Sequence, residues 1–155
     1  MVIVDLVPAH LEGCVAVAAS LPNWFGYPGA LEGIAAALAE QQGFVALEGS
    51  DPVGFVTMTP VFEETIEITY LAVHASLRRA GIGRALLVAV REAAIAGGSS
   101  SICLLTLGPS AGNDGYKETV EFYRAMGFWR TKELELASWG GAPALVMSGP
   151  TSGIA

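Results

Sequence analysis

The chain has 155 residues, which suits one domain with a real core and leaves no room for a second enzyme module. It is 52% hydrophobic and 15% charged, with a formal net charge of −7, so it lacks the broad basic face that nucleic acid demands and is better suited to a cationic partner. Charged residues and glycines interrupt the apolar runs well short of the ~18 residues of a membrane span. Asp5 and Glu12 stand where an export leader would carry basic residues. Cys14 and Cys103 make neither a disulfide framework nor a metal-ligand spacing, so a cytoplasmic protein without metal is expected.

Residues 2–6 read as a first strand, and Pro8 followed by Leu11, Val15, Ala18 and Ala19 reads as a helix ending near Ser20. Residues 21–29 mix Trp24, Phe25 and Tyr27 with prolines and glycines, an unusual make-up for a plain connector. Leu31, Ile34, Ala35 and Leu38 predict a second helix over 30–42, ended by Gly43. Strands at 44–48 and 52–59 flank the turn Gly49-Ser50-Asp51. A further strand at 66–73 leads into Arg78-Arg79-Ala80-Gly81-Ile82-Gly83-Arg84, and a helix apolar nearly all round follows until Gly97-Gly98. The strand at 102–107 is expected to lie parallel to strand 66–73 through a right-handed crossover. Asp114 is the expected cap of a helix from about Tyr116 to Met126. Strands at 128–136 and 144–148 close the sheet, and the chain from Gly149 is expected to be loose.

The stretch from 66 to 94 is therefore strand, glycine turn and helix N-terminus in series. The opening amides of a helix lack intrahelical acceptors and lie at the positive end of its dipole, a geometry that suits phosphate oxygens. Gly81 and Gly83 let backbone approach a bulky diphosphate and take φ values that other residues resist. Arg78, Arg79 and Arg84 gather positive charge in an acidic protein. A Walker loop is excluded because no Gly-Lys-Ser/Thr closes the turn. A nicotinamide-binding fingerprint fails because Leu86 stands where a small residue is needed and no acidic residue ends the next strand near Thr106.

Arg78-x-x-Gly81-x-Gly83 instead resembles the pyrophosphate loop of the GNAT superfamily of acyl-coenzyme A N-acyltransferases, Gln/Arg-x-x-Gly-x-Gly/Ala. Phe122-Tyr123-x-x-x-Gly127-Phe128 resembles that family's second landmark, a helix ending in a glycine turn before a strand. The resemblance implies an α/β fold of α+β type, one GNAT-like domain over 1–149 with a flexible tail at 150–155. Its mixed central sheet would have about seven strands, helices on both faces and a splay between the fourth and fifth strands.

The implied activity is transfer of acetyl from acetyl-CoA to a primary amine by direct attack, with no acyl-enzyme and no metal. A runner-up of another class is a non-catalytic module that binds acyl-CoA. The family pattern implies that Leu71, Ala72 and Val73 pair with the pantetheine arm, and that the Val73 amide faces the thioester carbonyl. The amides of Arg79, Gly81, Gly83 and Arg84 would hold the pyrophosphate behind Arg78. Tyr123 matches the residue that protonates the departing sulfur, and Glu67 stands where some members carry a general base. Strict alternation puts Glu67, Thr69, Leu71 and Val73 on one side of the strand.

Trp24, Phe25 and Tyr27 are candidates for the acceptor pocket, with a hydrophobic plug as the rival reading. Glu63, beside Glu64, would form an acidic rim. Tyr116 lies on a face similar to that of Tyr123, to contact substrate or to pack. His74 and His10 are read as non-catalytic, and Ala75 departs from the proline common at its position. The acceptor is expected to be a small amine or a peptide, and the apolar composition is compatible with a homodimer.

Overall fold

The computed structural model describes residues 1–152, which form two compact units: Met1–Thr59 with Ile68–Ala93, and Pro60–Glu67 with the chain from Ala94 onward. The seven strands stand in the order β1-β2-β3-β4-β5-β7-β6.

In the first unit β1 (Val2–Asp5), β2 (Gln42–Glu48) and β3 (Asp51–Phe62) pair antiparallel, Val4 opposite Val45 and Val45 opposite Phe55. Gly49, at φ 61°, opens the tight turn between β2 and β3. Helices α1 (Leu11–Ala19) and α3 (Ala30–Glu40) carry buried residues at helical spacing, Cys14, Val17 and Ala18 on one and Ile34, Ala37 and Leu38 on the other. Most of these meet Val45, Phe55 and Ala72 in one core. Truncating a fully buried phenylalanine such as Phe55 to alanine costs about 3–5 kcal/mol, which sets the scale of this packing.

α3 ends at Glu40 because Gln41 turns extended, not at Gly43 as expected. Gly43 lies in β2, where a Cβ would collide with the Val56 carbonyl oxygen, so that glycine serves sheet pairing. Between α1 and α3 the aromatic segment contains one helical turn, α2 (Pro22–Phe25), in place of the expected loop. α4 (Ile82–Ala96) packs over Gly54, whose missing side chain leaves room for Ile82 and Leu86.

β4 (Thr65–Val73) follows β3 after the two-residue turn Glu63-Glu64, and its first residues belong to the second unit. There the amides of Ser100 and Ser101 donate to the Glu64 carbonyl, and Oγ1 of Thr65 lies 2.8 Å from Oγ of Ser101. β5 (Ser101–Leu107) thus starts beside the start of β4, parallel to it, as a helical crossover requires. β7 (Pro143–Pro150) pairs antiparallel with both β5 and β6 (Trp129–Glu135).

α5 (Asp114–Ala125) is capped by Asn113, not Asp114. The Asn113 side-chain oxygen accepts from the amides of Gly115 and Tyr116, while Asp114 enters the first turn, where its charge suits the helix dipole. The chain beyond 148 is better anchored than expected. β7 runs to Pro150, and the buried Thr151 donates through its hydroxyl and amide to the carbonyls of Ser99 and Ser100. Residues 153–155 of the expected tail lie outside the described residues.

Candidate active site

β4 hands the chain to a short 3₁₀ turn, Ala75–Leu77, and the turn hands it to the glycine loop. His74 steers the turn: its Nδ1 accepts from the Ser76 amide, and its own amide donates to Val53. Arg79 then takes φ 65° and Gly81 φ 83°. Arg79 is the one non-glycine among the described residues in the left-handed region, a conformation that costs about 1–2 kcal/mol. Left-handed residues in a turn are the arrangement in which successive N–H groups converge on an anion. A Cβ on Gly81 would meet nothing within 4 Å, so glycine is needed for its φ, and the space in front of the turn is open. Gly83 differs from the expectation, since it sits inside the first turn of α4 and does not take a positive φ. The Ala85 amide donates to the Gly81 carbonyl, which sets the opening amides of α4 directly after the left-handed turn.

The aromatic segment divides its roles. Trp24 and Phe25 pack against the first unit's core, and Tyr27 is 55% exposed. Trp24 also lies under the guanidinium of Arg78, 4.5 Å from Cζ to the ring centroid, and Phe25 meets Tyr70 edge-on at 6.3 Å. Burial, and then the nearby Tyr27, push the Tyr70 phenol up.

Strict alternation along β4 fails. The His74 amide bonds Val53, and a regular ladder from that pair sets Thr57 opposite Tyr70. Instead, Oγ1 of Thr69 lies 2.7 Å from Oγ1 of Thr57 and donates to Oε1 of Gln41 at the end of α3. One extra residue is therefore accommodated in β4 between Thr69 and His74, a bulge. Tyr70 and Ala72 join the α1–α3 core beyond it. Thr69, and Glu67 two residues before it, share that side, whereas Leu71 and Val73 point to the other.

In the second unit, Glu67 is partly buried on β4, and burial raises its carboxyl above the usual carboxylate range. Cys103 on β5 is raised first by burial and then by the charge of Glu67. Tyr123 is buried with its ring edge-on between Phe122 and Phe128 at 5.2 and 5.6 Å, and burial pushes its phenol well up. Glu63 is exposed in the turn before β4. Tyr116 lines a cavity of about 110 Å³ together with Asn113, Lys117, Arg124 and Arg130. That cavity went unforeseen because its cations come from separate elements, and Arg91, buried on α4, was likewise missed.

The family model for the acetyltransferase (GNAT) domain matches residues 39–130, from the end of α3 through the glycine loop and α5 into β6. No curated protein matches this chain. Among solved structures, a GNAT-family protein of Desulfovibrio desulfuricans aligns with a TM-score of 0.82 at 21% identity, covering 97% of this chain and 100% of its own. The ribosomal-protein-S18-alanine N-acetyltransferase of Escherichia coli aligns at 0.76 and 19% identity, over 99% and 96% of the two chains. An aminoglycoside 6′-N-acetyltransferase complexed with coenzyme A aligns at 0.74 and 19% identity, over 100% and 99%. At these identities the likeness is one of fold.

Proposed function

The chain belongs to the GNAT acetyltransferase family, acyl-CoA-dependent N-acyltransferases, and we propose that it moves acetyl from acetyl-CoA to a primary amine of a small cationic acceptor by direct attack. The observation that carries this reading is the glycine loop: left-handed residues at 79 and 81, open space before Gly81 and a fifteen-residue helix beginning at Ile82. The amides of Arg79, Gly81, Gly83 and Arg84 hold the pyrophosphate, and Leu71, Ala72 and Val73 meet the pantetheine arm, the Val73 amide serving the thioester carbonyl.

Two side chains carry the protons. Tyr123 stays neutral throughout the working pH range because burial raises its phenol, so it is always in the form that can protonate the departing thiolate. The same rise makes complete transfer to a thiolate uphill, and collapse of the tetrahedral intermediate must drive it. Glu67, also raised by burial, is moved towards the pH at which a carboxylate serves as a base, and it relays the amine's proton through water. Glu63, exposed in the turn before β4, supplies negative charge for a cationic acceptor. Two free thiols, Cys14 and Cys103, support a cytoplasmic home, and among the described residues no helix is long and apolar enough to cross a membrane. Trp129, exposed on the terminal strand β6, supports a homodimer.

Thiol release from acetyl-CoA, measured across aminoglycosides, polyamines, amino acids and peptides, tests the proposal. Release with a cationic amine supports it. Coenzyme binding without release on any amine overturns it and favours a binding module.

A further inference from the structure

We infer that Trp24 is a positioning residue for the coenzyme, fixing Arg78 at the entrance to the diphosphate loop, rather than a wall of the acceptor pocket; this rests on the acetyl-CoA reading above. Three fastenings join the segment around Trp24 to β4 and the loop that follows it. Oγ of Ser20 donates to the Val17 carbonyl at 2.6 Å and accepts from the Ala75 amide at 3.1 Å, which ties the end of α1 to the turn after β4. The Trp24 ring lies 4.5 Å from the guanidinium carbon of Arg78. Phe25 meets Tyr70, at the bulge of β4, edge-on.

The loop needs such bracing. Arg79 holds a left-handed φ of 65° without being glycine, and a strained residue persists only where its surroundings over-determine it. The strain is of the same order as one cation–π contact. A ring under Arg78, one residue earlier, restricts the backbone that enters Arg79, while the Ser20 bond restricts Ala75 three residues before that. Trp24 also packs on the core of α1 and α3, so its ring is itself held. An indole is the best of the aromatic faces for a cation, and leucine can fill the core side of the site without offering one.

The test is calorimetric titration of coenzyme A, with steady-state kinetics, on wild type, Trp24→Leu, Trp24→Phe, Arg78→Met and the Trp24→Leu/Arg78→Met double variant. Trp24→Leu should weaken coenzyme A binding about fivefold to tenfold and raise the KM for acetyl-CoA in parallel, with kcat and the acceptor's KM unmoved; Trp24→Phe should restore most of it. In the Arg78→Met background Trp24→Leu should cost no further affinity, because it acts through a side chain already removed. A full additional loss in the double variant, or a Trp24→Leu effect confined to the acceptor's KM, overturns the inference. If Trp24→Leu fails to fold, equal coenzyme affinity in wild type, Trp24→Phe and Arg78→Met overturns it as well. Wild type that takes up no coenzyme A would sink the acetyl-CoA reading itself, an outcome distinct from the others.

Discussion

In the first unit the groups proposed to meet the coenzyme are backbone amides, held by left-handed residues at Arg79 and Gly81 and braced by Trp24 and Ser20. The groups proposed to carry protons in the second are side chains, Glu67 and Tyr123, whose affinity for protons burial has raised. A backbone cradle presents fixed dipoles that no pH change within the working range can switch off. Buried side chains titrate, and their behaviour depends on everything packed around them. On the proposed roles one unit binds at any pH and the other exchanges protons over a limited range, so substitutions in the two should separate coenzyme affinity from turnover.

The sharpest separation is expected at Tyr123. Tyr123→Phe keeps the ring between Phe122 and Phe128 and removes only the hydroxyl, so kcat should fall about 10²–10⁴-fold while calorimetric affinity for coenzyme A holds. Lost affinity with unchanged kcat would reverse the assignment. Glu67→Gln should lower kcat about 10²-fold and remove the acidic limb of the pH–rate profile, a limb expected above the ordinary carboxylate value of about 4.3.

The stability of that variant has a definite sign. A carboxyl raised in the folded state binds protons more tightly there than when unfolded. Its burial therefore costs nothing at low pH, and the cost grows as pH rises through the folded-state pKa. Glu67→Gln should consequently be no less stable than wild type at neutral pH, as thermal melting across pH would show.

In the first unit Gly81→Val should weaken coenzyme A about tenfold by calorimetry, with kcat at saturation little changed, since a branched residue resists φ 83° even though the space is open. The smallest effect is expected far from both sets of groups. Asn113→Ala removes the cap of α5 and should cost about 1 kcal/mol in denaturant unfolding, whereas Asp114→Ala should cost less.

The glycine loop was legible in the sequence because its requirement is local: a strand, a residue forced to positive φ and a helix start lie within one short segment. Element order was legible for the same reason, through apolar periodicity and breakers. What escaped depends on partners distant in the chain. A bulge in β4 is what the family resemblance implies, but its place follows from how Thr69 meets Thr57 and Gln41, so strict alternation grouped Glu67 wrongly with Leu71 and Val73. Gly149 and Pro150 read as a loose tail, yet Gly149 lies where a Cβ would press on Phe128 and lets β7 continue. Trp24 and Arg78 meet only in the fold, and Arg79 carries no mark of strain because an arginine at positive φ looks like any other arginine. Asn113 and Asp114 are both good caps, and sequence alone does not choose between neighbours.

Calorimetric titration of acetyl-CoA into the wild-type chain and into Gly81→Val tests most directly whether the left-handed turn before α4 is a diphosphate cradle. Saturable one-to-one uptake by wild type, weakened about tenfold by the valine, is the predicted result. No uptake, or uptake indifferent to Gly81, would contradict it.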